Sequence, residues 1–312
     1  MPSPFSSSSL LSISSLASNN KSLMSPYLQS LRLRTLPLSM SGIVLGTGLA
    51  YPFNFQLSTF ILAILTTLSL QILSNLSNEL GDALKGTDTD QHGRKAYGLQ
   101  AGTITQKQIK SMIGLFVGLS ILFGSALIFT AFGMPVSNLQ SSIFNILIFF
   151  GLGLLAIIGA VTYTLGKHSY GYMGLGDLGV FLFFGLLSTL GGFYLQTQTL
   201  TAEVVWCGVA IGLPCVGVLN LNNIRDMNND RAHGKRTLAS LLGVRGAKIY
   251  HTCLLVACLT VFVVLGHWRV LCVAPVWAWH LWFVWTHDSN DLDRQMPVLM
   301  LSTLLVASLG WI

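Results

Sequence analysis

Asn78-Glu-Leu-Gly-Asp82-Ala-Leu-Lys-Gly-Thr-Asp88-Thr-Asp90 carries four of the eleven acidic residues of a 312-residue chain, directly after an apolar run. Asn222-Asn-Ile-Arg-Asp226-Met-Asn-Asn-Asp230 repeats the pattern, an amide followed by acids at steps of four, again where an apolar run ends. A step of four turns an α-helix by about 400°, so Asn78 and Asp82 share one face, and Asn222, Asp226 and Asp230 form a second stripe. Asp88 lies off the first face, and Gly81 and Gly86 give the backbone freedom to bring it in from a loop. Aligned carboxylates repel one another, and a helix C-terminus disfavours negative charge. A divalent cation removes both conflicts. Carboxylate and amide oxygens favour Mg²⁺, which keeps part of its shell for water and substrate phosphates. The ligand so implied is a diphosphate.

The rest of the chain says where such a site sits. It is 52% hydrophobic and 9% charged, with a mean hydropathy of +0.65, which excludes an ordinary soluble domain and implies an all-α integral membrane protein in a lipid bilayer. At about 20 residues per crossing, nine spans can be placed, at 36–54, 57–80, 107–132, 141–165, 176–196, 203–225, 247–265, 268–286 and 294–312. Residues 1–25, Ser-rich with one Lys and no acid, read as a disordered tail outside the fold, which takes 26–312. Alternating the connections places sixteen of the seventeen Lys and Arg on the N-terminal side and only Arg269 opposite. That asymmetry predicts a cytoplasmic N-terminus, with both acid clusters at the cytoplasmic ends of spans two and six. It also explains the net charge of +6 without nucleic acid, since the bases are not interleaved with exposed aromatics in a polar domain. The five cysteines sit inside apolar runs with no metal-ligand spacing.

Five motifs carry a resemblance: Leu31-Arg-Leu-Arg-Thr-Leu-Pro37, Gln71-Ile-Leu-Ser-Asn75, Gly81-Asp82 through Asp88, Tyr170-Gly-Tyr-Met-Gly-Leu-Gly-Asp177, and Asn222-Asn-Ile-Arg-Asp226 through Asp230-Arg231. Over residues 27–312 the chain resembles the UbiA superfamily of intramembrane aromatic prenyltransferases, and within it the branch acting on 1,4-dihydroxy-2-naphthoate in bacterial plasma (inner) membranes. The resemblance implies nine helices around a central cavity, a polyprenyl diphosphate bound through Mg²⁺, and prenyl transfer to an aromatic ring. For the naphthoate branch the transfer accompanies loss of CO₂, giving demethylmenaquinone. The chemistry agrees with the residues: leaving of diphosphate from an allylic carbon produces a delocalised cation, and metals and bases stabilise the departing charge.

On this reading Asp82, Asp88, Asp226 and Asp230 are the catalytic metal ligands, with Asn78 and Asn222 beside them. Arg94, Lys95, Lys167, Arg225 and Lys235 are candidates for diphosphate contact, although topology alone accounts equally for Lys95 and Lys235. Tyr163 and Lys167 resemble a substrate-binding pair of ubiquinone-type relatives. Asp177, expensive in lipid, either faces the cavity or ends a helix. Arg32 and Arg34 are either surface anchors or, for one of them, a fork for the acceptor carboxylate. Asp288, Asp291 and Asp293 read as a solvated loop, and His233, His251, His267 and His280 as packing or interfacial residues. Two other functions compete: the same diphosphate chemistry with 4-hydroxybenzoate or homogentisate as acceptor, and a secondary transporter with ion-binding acids.

Overall fold

The computed structural model describes residues 26–87, 98–133 and 139–312. The expected tail at 1–25 lies outside them, as do Asp88, Arg94 and Lys95. Among the described residues there is no strand, only an isolated bridge between Met173 and Arg236. The long helices are α1 (Leu36–Ala50), α2 (Leu57–Lys85), α3 (Gln106–Phe132), α4 (Leu139–Thr162), α5 (Gly176–Thr197), α6 (Ala202–Arg225), α7 (Leu238–Val264), α8 (Ala274–Thr286) and α9 (Met296–Leu309).

Six of these, α2, α3, residues Ser142–Thr162 of α4, α5, α6 and α7, are long and apolar enough to cross a bilayer. The first, eighth and ninth expected spans hold helices of only 15, 13 and 14 residues, short of the roughly 30 Å hydrocarbon core at about 1.5 Å per residue. Length and composition by themselves therefore mark six crossings among the described residues. The difference has a local cause. Pro37, Pro275 and Pro297 open α1, α8 and α9, and 3₁₀ turns Trp268–Val273 and Ser289–Gln295 lead into the last two, so apolar residues that hydropathy counts as span are not α-helical. Span seven departs the other way: α7 begins at Leu238, where Thr237 and Ser240 cap it reciprocally, and bends at Gly243, whose φ is 72°.

Among the six candidate crossings α6 is the most buried. Cys207, Ile211, Cys215 and Leu221 pack with Leu255 and Phe262 of α7 and Leu299 and Val306 of α9. Close approach relies on missing side chains: a Cβ on Gly185, within the π-helical stretch Phe181–Leu187 of α5, would lie 2.6 Å from the Gly212 Cα. The outer faces are the reverse of a soluble surface. Phe144, Leu147, Leu154 and Leu155 of α4 and Leu115, Leu122 and Phe129 of α3 are exposed, as a multi-pass protein in lipid requires. A cavity of about 360 Å³ opens inside, lined from α1 through α6.

Candidate active site

Both acid motifs reach this cavity. Asn78 and Asp82 line it from the last turns of α2, Asn222 and Asp226 from the end of α6, and Lys235 from the segment beyond. α2 stops where expected: Gly86, at φ 73°, takes the left-handed conformation of a C-cap. The second motif is not one unbroken helix, because α6 ends at Arg225, Asp226 leaves helical geometry, and a short helix Met227–Ala232 follows. The step of four survives in the backbone, since Asp226 N donates to Asn222 O at 2.9 Å and Asp230 N to Asp226 O at 2.8 Å.

A tyrosine without an assigned role in the sequence knits the motifs together. Tyr172, in the turn Tyr170–Tyr172, donates its hydroxyl to Asp82 Oδ1 at 2.8 Å and lies 2.7 Å from Thr87 Oγ1. Asn229 Nδ2 donates to the Thr87 carbonyl at 2.6 Å, and Arg236 N to the Tyr172 carbonyl at 3.1 Å. Two lysines flank the Tyr172 ring, Lys85 at 3.6 Å and Lys235 at 5.6 Å from its centroid, while Lys85 also donates to Ser169 Oγ. Burial first and then the Asp82 carboxylate push the Tyr172 phenol above its ordinary pKa, so it remains a donor.

Charge around the acids is organised in two groups. Lys235 Nζ pairs with Asp230 Oδ1 at 3.2 Å. Burial, opposed by Lys235 and reinforced by Asp226 and Asp82, pushes Asp230 up to about 6. For Lys235 burial disfavours the charge, yet Asp230, Asp82 and Asp226 outweigh it and the pKa rises. Arg225 grips Asp226 through two bonds, Nε to Oδ1 at 2.7 Å and Nη2 to Oδ2 at 2.6 Å, and reaches Asp293 Oδ1 at 2.6 Å. Asp293 in turn accepts from both terminal nitrogens of the Arg34 guanidinium, Nη1 at 3.1 and Nη2 at 3.3 Å. The reading of Asp293 as a merely solvated acid is therefore corrected: it joins the start of the chain to the second motif. Arg225 and Arg34 are engaged by these carboxylates.

The remaining candidates separate. Arg32 and Tyr163 line the cavity, while Lys167 is exposed and absent from its walls, because α4 ends at Thr162 and Gly166, at φ 96°, turns the chain away. Asp177 borders a smaller recess with Tyr163, Asn223 and Thr237. Arg32 sits at φ 49° and ψ 51°, a left-handed conformation costing a non-glycine residue about 1–2 kcal/mol. It is held there by Thr35, whose N and Oγ1 both donate to the Arg32 carbonyl at 2.9 and 3.0 Å, and by Asn75 Nδ2, which donates to the Leu31 carbonyl at 2.9 Å. Glu79, by contrast, is fully buried and accepts from Ser30 Oγ at 3.2 Å and Leu99 N at 2.7 Å, a packing role.

Among the described residues no three His, Cys, Asp or Glu side chains gather into a ready metal cage; Asp82, Asp226 and Asp230 each face a donor of the protein itself. The donor set still fits a hard cation. Every candidate atom is a carboxylate or amide oxygen, and among the described residues Asp230 Oδ2 is buried without a hydrogen-bond partner, an arrangement that calls for a positive ligand. Beyond the polar end the walls become apolar, with Leu127, Ile128, Phe149, Leu152, Phe183 and Leu195. The arrangement suits a ligand with an anionic head and a long hydrocarbon tail.

The profile of the UbiA prenyltransferase family matches residues 39–305. A 1,4-dihydroxy-2-naphthoate octaprenyltransferase of Escherichia coli (strain K12) is 41% identical over 254 residues, covering 81% of this chain and 79% of the relative. A protein of the same name from Haemophilus influenzae is 37% identical over 297 residues, covering 90% and 94%. Among solved structures, a UbiA homologue from Aeropyrum pernix K1 superposes with a TM-score of 0.61 at 19% identity, covering 89% of this chain and 97% of that one. A UbiA homologue from Archaeoglobus fulgidus bound to DMAPP and Mg²⁺ gives 0.60 at 15% identity, covering 91% and 99%.

Proposed function

The chain belongs to the UbiA prenyltransferase family, and on that premise we propose that it transfers a polyprenyl group from polyprenyl diphosphate to 1,4-dihydroxy-2-naphthoate, with loss of CO₂ and diphosphate, giving demethylmenaquinone. The observation that carries this is a cavity lined both by the two acid motifs and by apolar walls from α3, α4 and α5. The acceptor assignment is supported by the named relatives at 41% and 37% identity.

Asp82, Asp226 and Asp230, with the amide oxygens of Asn78 and Asn222, are the residues that would hold the cation, and Asp88 joins them as a sequence-based candidate. The chemistry a Mg²⁺ held there would supply is neutralisation of diphosphate charge, which would make the diphosphate a better leaving group. Lys235, which pairs with Asp230 and lines the cavity, and Lys85, over the Tyr172 ring, are the proposed contacts for diphosphate oxygens, ahead of Lys167. Arg225 acts by orienting Asp226, and Asp293 by orienting Arg225. The allylic carbon then lies where Tyr163, Tyr170 and Phe183 line the wall, and aromatic faces favour a developing carbocation. The electron-rich acceptor ring attacks that carbon as the C–O bond to diphosphate breaks, and the carboxylate leaves as CO₂, its electron pair returning to the ring. An apolar chamber excludes water, the competing nucleophile.

The base asymmetry supports a bacterial plasma-membrane orientation with a cytoplasmic N-terminus and the polar end facing the cytoplasm. Purified protein supplied with Mg²⁺, a polyprenyl diphosphate and dihydroxynaphthoate should release CO₂ and a prenylated quinol. Product from 4-hydroxybenzoate or homogentisate but not from dihydroxynaphthoate overturns the acceptor assignment. Absence of product with every acceptor overturns the reaction.

A further inference from the structure

The stretch Gln71-Ile-Leu-Ser-Asn75 resembles the family without a role of its own in the chemistry above. The structure gives it one. Gln71 and Asn75 lie on the same stripe of α2 as Asn78 and Asp82, and both line the cavity with Arg32, Thr35, Ser39 and Ser74. These six form a polar alcove set apart from the acid motifs along α2. Gln71 and Asp82 are separated by about 16 Å of helix axis at about 1.5 Å per residue, room for a diphosphate, its allylic carbon and a fused two-ring acceptor end to end.

The hydrogen bonds inside the alcove fix which atom each side chain presents. The Thr35 hydroxyl spends its one proton on the Arg32 carbonyl, at 3.0 Å, so toward Gln71 and Asn75 it can only accept. Both amides accordingly turn their NH₂ to it, each at 3.0 Å. Asn75 Nδ2 also serves the Leu31 carbonyl, and Asn75 Oδ1 accepts from Gln71 Nε2 at 3.2 Å. What is left is Gln71 Oε1. Gln71 is only 9% exposed, and Oε1 has no hydrogen-bond partner among the described residues. Gln71 lines the cavity while Oε1 itself is buried, so a ligand donor reaches it as the side chain shifts toward the cavity, and pairing the orphaned acceptor favours that shift.

We propose that Gln71 Oε1 accepts a hydrogen bond from a ring hydroxyl of the aromatic acceptor while Arg32, across the alcove, takes its carboxylate. The inference rests on the prenyl-transfer reading and adds the contact that distinguishes a hydroxylated ring from a bare one. A carbonyl oxygen repels a carboxylate, so the acceptor enters with a hydroxyl toward Gln71 and its acid toward Arg32. Sites that hydrogen-bond a substrate hydroxyl reject the analogue lacking it, because their own polar group is then left unpaired.

The test is equilibrium binding, read by naphthoate fluorescence, of 1,4-dihydroxy-2-naphthoate against 2-naphthoate, which lacks both hydroxyls. Wild-type protein should prefer the dihydroxy acid by at least about tenfold. Gln71→Leu should lose most of that preference, with 2-naphthoate binding and affinity for a prenyl thiodiphosphate with Mg²⁺ both retained. Asn75→Ala, which disturbs only the positioning of the alcove, should weaken both naphthoates together and keep their ratio. A Gln71→Leu protein that keeps the wild-type ratio, or weakens both naphthoates equally as Asn75→Ala does, overturns the proposal. Because binding is measured without turnover, a protein that fails to prenylate dihydroxynaphthoate yet shows the Gln71-dependent preference refutes the reaction and not this contact.

Discussion

Replacing Lys235 by Met isolates what the lysine does for the acid cluster. Its ammonium lies 3.2 Å from Asp230 Oδ1, with side-chain exposures of 15% and 4%. At an effective dielectric of about 20 the attraction is at most about 5 kcal/mol. The measurable loss is smaller, because a carboxylate left without its cation takes up a proton instead. Asp230 already stands at about 6, raised from 3.8. For an acid whose folded pKa is raised, the penalty is absent below the unfolded value, accumulates up to the folded value and is constant above it. In the wild type it stops growing near pH 6. In Lys235→Met the folded pKa moves higher, so the penalty continues upward at a little over 1 kcal/mol per pH unit.

The variant should therefore match the wild type below pH 6, or exceed it, since the lysine there is a buried charge whose partner is neutral. It should be less stable by about 1 kcal/mol at pH 7 and by about 2–3 kcal/mol at pH 8. The unfolding midpoint at pH 7, read by intrinsic fluorescence in detergent, should fall by about 2–4 °C. Mg²⁺ should restore the variant more than it stabilises the wild type, because the ion then meets acids with no competing ammonium. Prenyl diphosphate affinity should fall at the same time. A stability difference independent of pH between 5.5 and 8.5, or equal Mg²⁺ stabilisation of both proteins, refutes the assignment of Lys235 as counter-ion to the three acids.

Arg32→Ala should raise the KM for dihydroxynaphthoate about tenfold or more and leave that for polyprenyl diphosphate unchanged, whereas Arg34→Ala, acting through Asp293 and Arg225, should lower kcat with little change in acceptor KM; steady-state kinetics with each substrate varied separates the two. Asp82→Ala and Asp226→Ala should each abolish turnover in protein that still inserts and folds, and the double variant should be no worse than either, since residues acting on one diphosphate are non-additive; losses that sum in free energy refute a shared site. Gly185→Leu should sharply reduce folded yield in size-exclusion chromatography, because its Cβ alone meets the Gly212 Cα at 2.6 Å and neither backbone can yield cheaply. Single cysteines at Thr87 and Asn228, in protein lacking the native cysteines, should both label from the cytoplasmic side of oriented vesicles; labelling from opposite sides contradicts the hydrogen bond joining Asn229 to Thr87.

What the sequence determined by itself is what depends on neighbours along the chain. Hydropathy over windows of a helix length reports transfer into lipid, so the membrane class and most spans were legible, and the step of four put Asn78 with Asp82 and Asn222 with Asp226. The ends of α1, α8 and α9 were not, because average hydropathy does not register a proline or a 3₁₀ turn that shortens a helix inside an apolar run. The choice between chemically equivalent residues belonged to the tertiary structure. Arg32 and Arg34 differ by two positions, yet a left-handed turn held by Thr35 and Asn75 aims one into the cavity and leaves the other to Asp293. Lys167 matched a pattern and is exposed, while Lys85 of α2 and Lys235 of the loop before α7 both lie over Tyr172. Asp293 carried no local signal at all, since what it does depends on Arg34 and Arg225, which only folding brings beside it. The same is true of Gln71: its residue type was plain in the sequence, but which of its two amide atoms remains without a partner is decided by the proton of Thr35, across the space between two helices.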